Sequence, residues 1–333
     1  MRFYDITITP PVESPEAFSA FSFSSQTILG VNNYSALRVD LDFFQDWFHQ
    51  PSANGHIKIW GVDLKDLIQK GDLNPILINK TFQYKQIIIQ VGMSKGLPFA
   101  NPKQAGLAIQ GSIIQAFATW QGTEVGLDLV FVPSNINPNV QANIPAIWQK
   151  ETELTEIVKT ALNTAYPTTP VNGSFSTGLI WTENTQSQNF NLINFAQAVN
   201  DISKIINKNP KYLGAIITIN NNVFYLSDNG VTPTAAKTIY FTDVIGNLTW
   251  LGKNLIQAKV VMRADINVGD YITFQQNIPV LNVVNNESQY RNNFSFNGTF
   301  WVTRVHQMGS SRQADGNAWV TVIDAVINTF NAS

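Results

Sequence analysis

The chain has 333 residues, 44% of them hydrophobic, which is enough for two or three packed domains. Only 13% are charged and the formal net charge is -2, with no run of lysine or arginine, so primary nucleic-acid binding is disfavoured. With no cysteine there are no disulfides, thiolate metal sites or cysteine nucleophiles.

In chain order, residues 1–133 read as short strands separated by turns. Met1–Thr9 alternates, as does His56–Gly61 after the Asn54-Gly55 turn. Val62–Gln69 has the pattern of a short helix. Phe82–Val91, Ile109–Phe117 and Val125–Val132 continue the strand series, which predicts a barrel or sandwich. Pro133–Pro138 marks a boundary.

The period then becomes helical. Leu154, Ile157, Val158, Ala161 and Leu162 define one helix, with Glu151, Glu153 and Glu156 near its start and Pro167 beyond its end. A second helix spans about 191–207, with Asn191 as its cap and Asn209-Pro210 as its stop. Ala215–Ile219 and Val223–Leu226 form a hairpin across three asparagines. From about 238 the pattern returns to β: Leu255–Met262, a turn at Val268-Gly269-Asp270 followed by a strand, Thr299–His306 and Ala318–Val326. Gly309 and Gly316 are expected to bracket the loop between the last two. The reading is a mainly β chain with an α/β insert, divided into 1–133, 134–237 and 238–333. Asn54-Gly55 and Asn297-Gly298 each introduce a strand with one tryptophan, a faint hint of duplication.

Motifs for chemistry are sparse. Gly92-Met93-Ser94-Lys95-Gly96 matches the nucleophile elbow of serine hydrolases, but Pro98 and Pro102 oppose the helix that must follow it. His49, His56 and His306 lack metal-ligand spacing, and no phosphate loop or dinucleotide fingerprint occurs. No cofactor or metal and no enzyme activity is expected. Asp40 and Asp42 alternate on a strand, the usual sign of a solvated face. Trp60, Trp120, Trp250, Trp301 and Trp319 lie in or beside strands, where packing and carbohydrate stacking are both open. No stretch reaches the ~18 apolar residues of a membrane span, and the first residues lack a signal core.

Several segments resemble the baseplate hub proteins of contractile-tailed bacteriophages. Val91–Pro102, continuing through Gln104-Ala105-Gly106 to Trp120-Gln121-Gly122-Thr123, is similar to their first barrel. Phe241–Gly246 with Thr249-Trp250, and Val261–Asp265 with Val268-Gly269-Asp270, are similar to the approach to their second. Gly298–His306, Ser311-Arg312-Gln313 and Trp319-Val320-Thr321 are similar to their final hairpin. The resemblance covers almost the whole chain in the same order.

It implies two related β-barrel domains per chain and a homotrimer closing a pseudo-sixfold ring. That ring adapts a sixfold tail tube to a threefold central spike, and the fold is shared with the head of type VI secretion spike proteins. Implied partners are the spike, the tail tube or its initiator, and other baseplate proteins. The implied place is the virion's tail baseplate, after assembly in the bacterial host cytoplasm. Because the sequence ends after the second barrel, a separate spike polypeptide is expected. Trp301, Thr303, Arg304, Trp319 and Thr321 are the expected inter-subunit contacts. The competing readings are another tail or secretion-system structural protein and a carbohydrate-binding tail adhesin.

Overall fold

The computed structural model describes residues 2–9, 21–27, 30–46, 55–62, 86–94, 101–134, 143–231, 235–252, 254–275, 296, 298–315 and 318–328. The expected helix at Val62–Gln69, apart from Val62 itself, and His49 lie outside them.

The first part contains β1 (Arg2–Thr9), β2 (Phe21–Ser24), β3 (Arg38–Asp46), β4 (Gly55–Trp60), β5 (Gln86–Met93), β6 (Gly106–Gln121) and β7 (Glu124–Val132). Most of their apolar residues alternate to one side. Tyr4, Ile6 and Ile8 meet Ile57, Ile59, Ile87, Ile89, Leu127, Leu129 and Phe131 in one core. Burying each such side chain contributes roughly 1.5–3 kcal/mol, which fixes the face and hence the register.

The middle part contains β8 (Ile144–Trp148), β9 (Thr152–Glu153), α1 (Leu154–Ala165), β10 (Val171–Gly173), β11 (Ile180–Trp181), β12 (Gln186–Phe190), α2 (Leu192–Asn207), β13 (Ile216–Asn220) and β14 (Val223–Ser227). Both helices lie where their spacing places them. Asn191 accepts a hydrogen bond from the Asn194 amide at 2.8 Å and so caps α2. Lys208 ends α2 in the left-handed conformation ahead of Pro210. Glu153 flanks α1 without a side-chain cap bond, leaving Glu156 as the acidic residue of its first turn. Trp148, Phe195 and Phe224 centre a separate core.

The last part contains β15 (Lys237–Ile239), a 3-10 turn at Phe241–Asp243, β16 (Thr249–Trp250), β17 (Leu255–Val261), β18 (Tyr271–Phe274), β19 (Thr299–Ser310) and β20 (Trp319–Ile327). Gly309 was expected from the sequence to end β19, but the strand runs on through it to Ser310. Gly309 pairs with Trp319 on one side and Leu41 on the other. A Cβ there would lie 2.2 Å from the Ala318 carbonyl oxygen, so glycine permits this close strand approach. Gly316 is outside the described residues.

A 13-stranded sheet unites the first and last parts along the path β16-β17-β20-β19-β3-β4-β7-β6-β5-β1-β2, with β15 and β18 attached beside it. The junction is the antiparallel pair β19·β3. A pairing pattern occurs twice along this sheet. β3·β4, β4·β7, β7·β6 and β6·β5 recur as β16·β17, β17·β20, β20·β19 and β19·β18, all antiparallel. Both long strands carry a register shift, at Ile113/Gln115 in β6 and at Val302/Arg304 in β19. The parallel ends at the flank: β5 takes β1 antiparallel, whereas β18 takes β15 in parallel. The Asn-Gly hint aligned β4 with β19, but the repeated pattern aligns β4 with β17 and β6 with β19.

Candidate functional site

Two features of the sheet are built from the sequence segments singled out above. One is a buried polar joint between the first and last parts. Arg263, 3% exposed, forks onto both carboxylate oxygens of Asp265 at 2.7 Å each. Its Nη1 also reaches Asp243 at 3.3 Å. Asp243 accepts a 2.9 Å bond from Gln104 Nε2, and the Gln104 carbonyl accepts from the Ala264 amide at 2.7 Å. Gln307 Nε2 and Thr321 Oγ1 both donate to the Arg263 carbonyl. Gln104, Asp243 and the Arg263–Asp265 run come from three segments far apart in the sequence. Their meeting gives each a structural reason: a guanidinium taken out of water needs carboxylate partners and saturated donors.

The final hairpin docks in the same way. Trp319 Nε1 donates to the Gly92 carbonyl at 2.8 Å, Ser311 Oγ accepts from the Val39 amide at 2.9 Å, and Arg312 donates to the carbonyls of Tyr34 and Ala36.

The other feature is the sheet face opposite the apolar cores. In rows across the strands it carries Gln257, Asp324, Arg304 and Asp46, then Lys259, Val322, His306 and Phe44. Beyond the junction follow Met308, Asp42, His56 and Val130, then Ser310, Asp40, Lys58 and Asp128. Acidic and basic side chains sit beside one another. His306 Nε2 lies 2.6 Å from Asp42, and Asp128 holds His56 Nε2 at 3.0 Å and Lys58 at 3.5 Å. Arg304 lies over the Phe44 ring, while Arg38 and Lys58 flank Trp60. Burial pushes the Asp40 carboxyl up. Hydrogen bonds from Arg38 and Trp60 and the Arg38 charge outweigh that and leave it below the ordinary value. The face is polar and of mixed charge, so it offers no uniformly basic surface to a polyanion.

Of the five expected contact residues, Trp301, Thr303, Trp319 and Thr321 are at most 3% exposed and serve the chain's own packing. Arg304 keeps partial exposure, on the charge-paired face. Trp120 and Trp60 remain reachable by solvent; Trp250 stacks on Phe296.

Ser94 is fully buried and its oxygen has no hydrogen-bond partner. His306, which a hydrolase would require as base, is engaged with Asp42. Among the described residues no group of three or more His, Asp or Glu side chains is placed to hold a metal ion. No helix among them is long and apolar enough to cross a membrane.

No protein-family model and no curated protein matches the chain. Solved structures do. The 43 kDa tail protein of prophage MuSo2 from Shewanella oneidensis superposes with a TM-score of 0.54 at 8% identity, covering 99% of this chain and 98% of that one. A tail protein from Neisseria meningitidis MC58 gives 0.51 at 9%, covering 98% and 97%. A chain of the PdpA–VgrG complex gives 0.48 at 8%, covering 99% and 65%. The chain therefore has the fold of phage tail proteins, in agreement with the hub resemblance of its sequence segments.

Proposed function

We propose that the chain is the structural hub of a contractile tail's baseplate, without catalytic activity of its own. Each subunit supplies two related barrels, built on 1–133 and 238–333 and separated by the 134–237 insert. Three subunits close a pseudo-sixfold ring that joins a sixfold tail tube to a threefold spike. The observation that carries this reading is the antiparallel pairing pattern found twice in one continuous sheet. A chain with two like halves presents six like units in three copies, which is what a threefold-to-sixfold adaptor requires. The trimeric count and the spike come from the hub resemblance.

The charge-paired face suits a lumen. Its carboxylates are interspersed with Arg304, Lys58 and Lys259, so it presents no cationic track that would trap a passing polyanion. Ser94→Ala is expected to leave particle function unchanged, and a covalent adduct of Ser94 with a fluorophosphonate would contradict the non-catalytic reading. Light scattering on the purified chain tests the assembly: a mass three times the 37.0 kDa protomer is expected. A stable sixfold mass would overturn it.

A further inference from the structure

Among the described residues β5 pairs with β6 only as far as Ser112, whereas β7 accompanies it from Ser112 to Gln121; residues 63–85, which precede β5 in the chain, are outside them. Along residues 113–121 the side turned away from β7 has no strand beside it among the described residues. Edges that stay free in water are normally guarded by charge or proline. Ile113–Gln121 contains neither, and it exposes Phe117 (45%) and Trp120 (64%).

The last part of the chain contains the counterpart of this edge, already filled. β19 corresponds to β6 in the repeated pattern. Beyond its register shift, β19 pairs with β3 from Arg304↔Asp46 to Ser310↔Asp40. The counterpart of β3 is β16. The strand that belongs beside the free part of β6 is thus a β16, and this chain's own β16 lies at the far end of the sheet path. That end is also unguarded: Asn247–Gly252 carries no charge or proline and Leu251 is 50% exposed.

The register follows from the ladders. Aligning the two shifts places Gln115 with Arg304, hence Ala118 with Gln307 and Thr119 with Met308. Carrying the match through β7/β20 and β4/β17 places Thr249 with Asp42 and Trp250 with Phe43. The observed pairs Met308↔Asp42 and Gln307↔Phe43 then translate into Thr119↔Thr249 and Ala118↔Trp250.

We infer that copies of this chain join head to tail through an antiparallel strand pair, β6 residues 113–121 of one copy against β16 of the next, with Thr119 opposite Thr249. The pairing presupposes the ring assembly proposed above and specifies its seam. The two surfaces differ, so the contact is heterologous, and in the proposed ring it leaves no free end.

The absence of cysteine permits a direct test. Directly opposed residues in an antiparallel pair have Cα atoms about 4.5–5.5 Å apart, within disulfide range. The full-length Thr119→Cys/Thr249→Cys variant, mildly oxidised, is expected to run as covalent oligomers on a non-reducing gel. Phe117→Cys/Leu251→Cys, one step along the same face, should crosslink as well. It covers the case in which replacing Thr119, which bonds Asp128, harms folding. Ala118→Cys/Thr249→Cys, one residue out of register and on opposite faces, should lose the crosslink. Light scattering separates the two ways of failing. Oligomers that do not crosslink at either in-register pair overturn the seam and leave the ring standing. A protein that is monomeric and uncrosslinked at all concentrations overturns both.

Discussion

At the scale of single residues, charge is held in compensated clusters. Arg263 is the clearest case: its guanidinium is buried among Asp265, Asp243 and the chain's own packing. Arg263→Met would leave Asp243 buried without its cation and is expected to cost about 3–5 kcal/mol in chemical denaturation. A loss below 1 kcal/mol would show that the joint is not tightly packed. Asp40 supplies a pH-dependent counterpart. Its folded value lies below the ordinary carboxylate value of 3.8, so its stabilising contribution is complete above that pH. The contribution is lost as pH falls from 3.8 through the lowered folded value. Asp40→Asn should therefore remove part of the acid sensitivity, and the stability gap between wild type and variant should narrow only below about pH 4. None of these partners was legible in the sequence. Gln104, Asp243 and Arg263 lie inside segments noted for resemblance, but a contact such as Gln104 to Asp243, 139 residues apart, leaves no local period to read.

Among the elements, those with a local signal were legible. Both helices carried a 3.6-residue stripe and a stop, and the strands buried on one face carried a two-residue alternation. The short strands β8, β9, β10, β11 and β12 were not foreseen, because strands of two to five residues give too few repeats to establish a period. The end of β19 was misplaced for a different reason. Gly309 looked like punctuation, whereas it admits the backbone of Ala318. The Asn220–Asn222 turn shows what a hairpin tip adds beyond its own fold. Asn221 and Asn222 have positive φ, as the tight turn requires, and the Asn221 side chain also accepts from the Gln110 amide of β6 at 2.7 Å. Asn221→Gly keeps the turn conformation but removes that acceptor. It should cost about 1–3 kcal/mol, the penalty for an amide left unsatisfied. An unchanged melting midpoint would mean that the tip is not anchored there.

On the scale of the whole molecule, the β–α/β–β order was legible from composition and period, and the tail-protein likeness from the order of weak motifs. The strand pattern's repetition was not. Its two copies share pairing and a register shift but little sequence: Lys58 faces Asp40 and Asp128 in one, while Lys259 faces Val322 in the other. Backbone hydrogen bonding, which is indifferent to side chains, carries the repeat. In the proposed ring of three copies, this repeat would supply the six like units. The direct test is electron microscopy of intact particles, with this chain located at the tail tip. The account predicts one axial ring of three copies, each contributing two similar lobes. Six equivalent copies, or a position off the central axis, would contradict it.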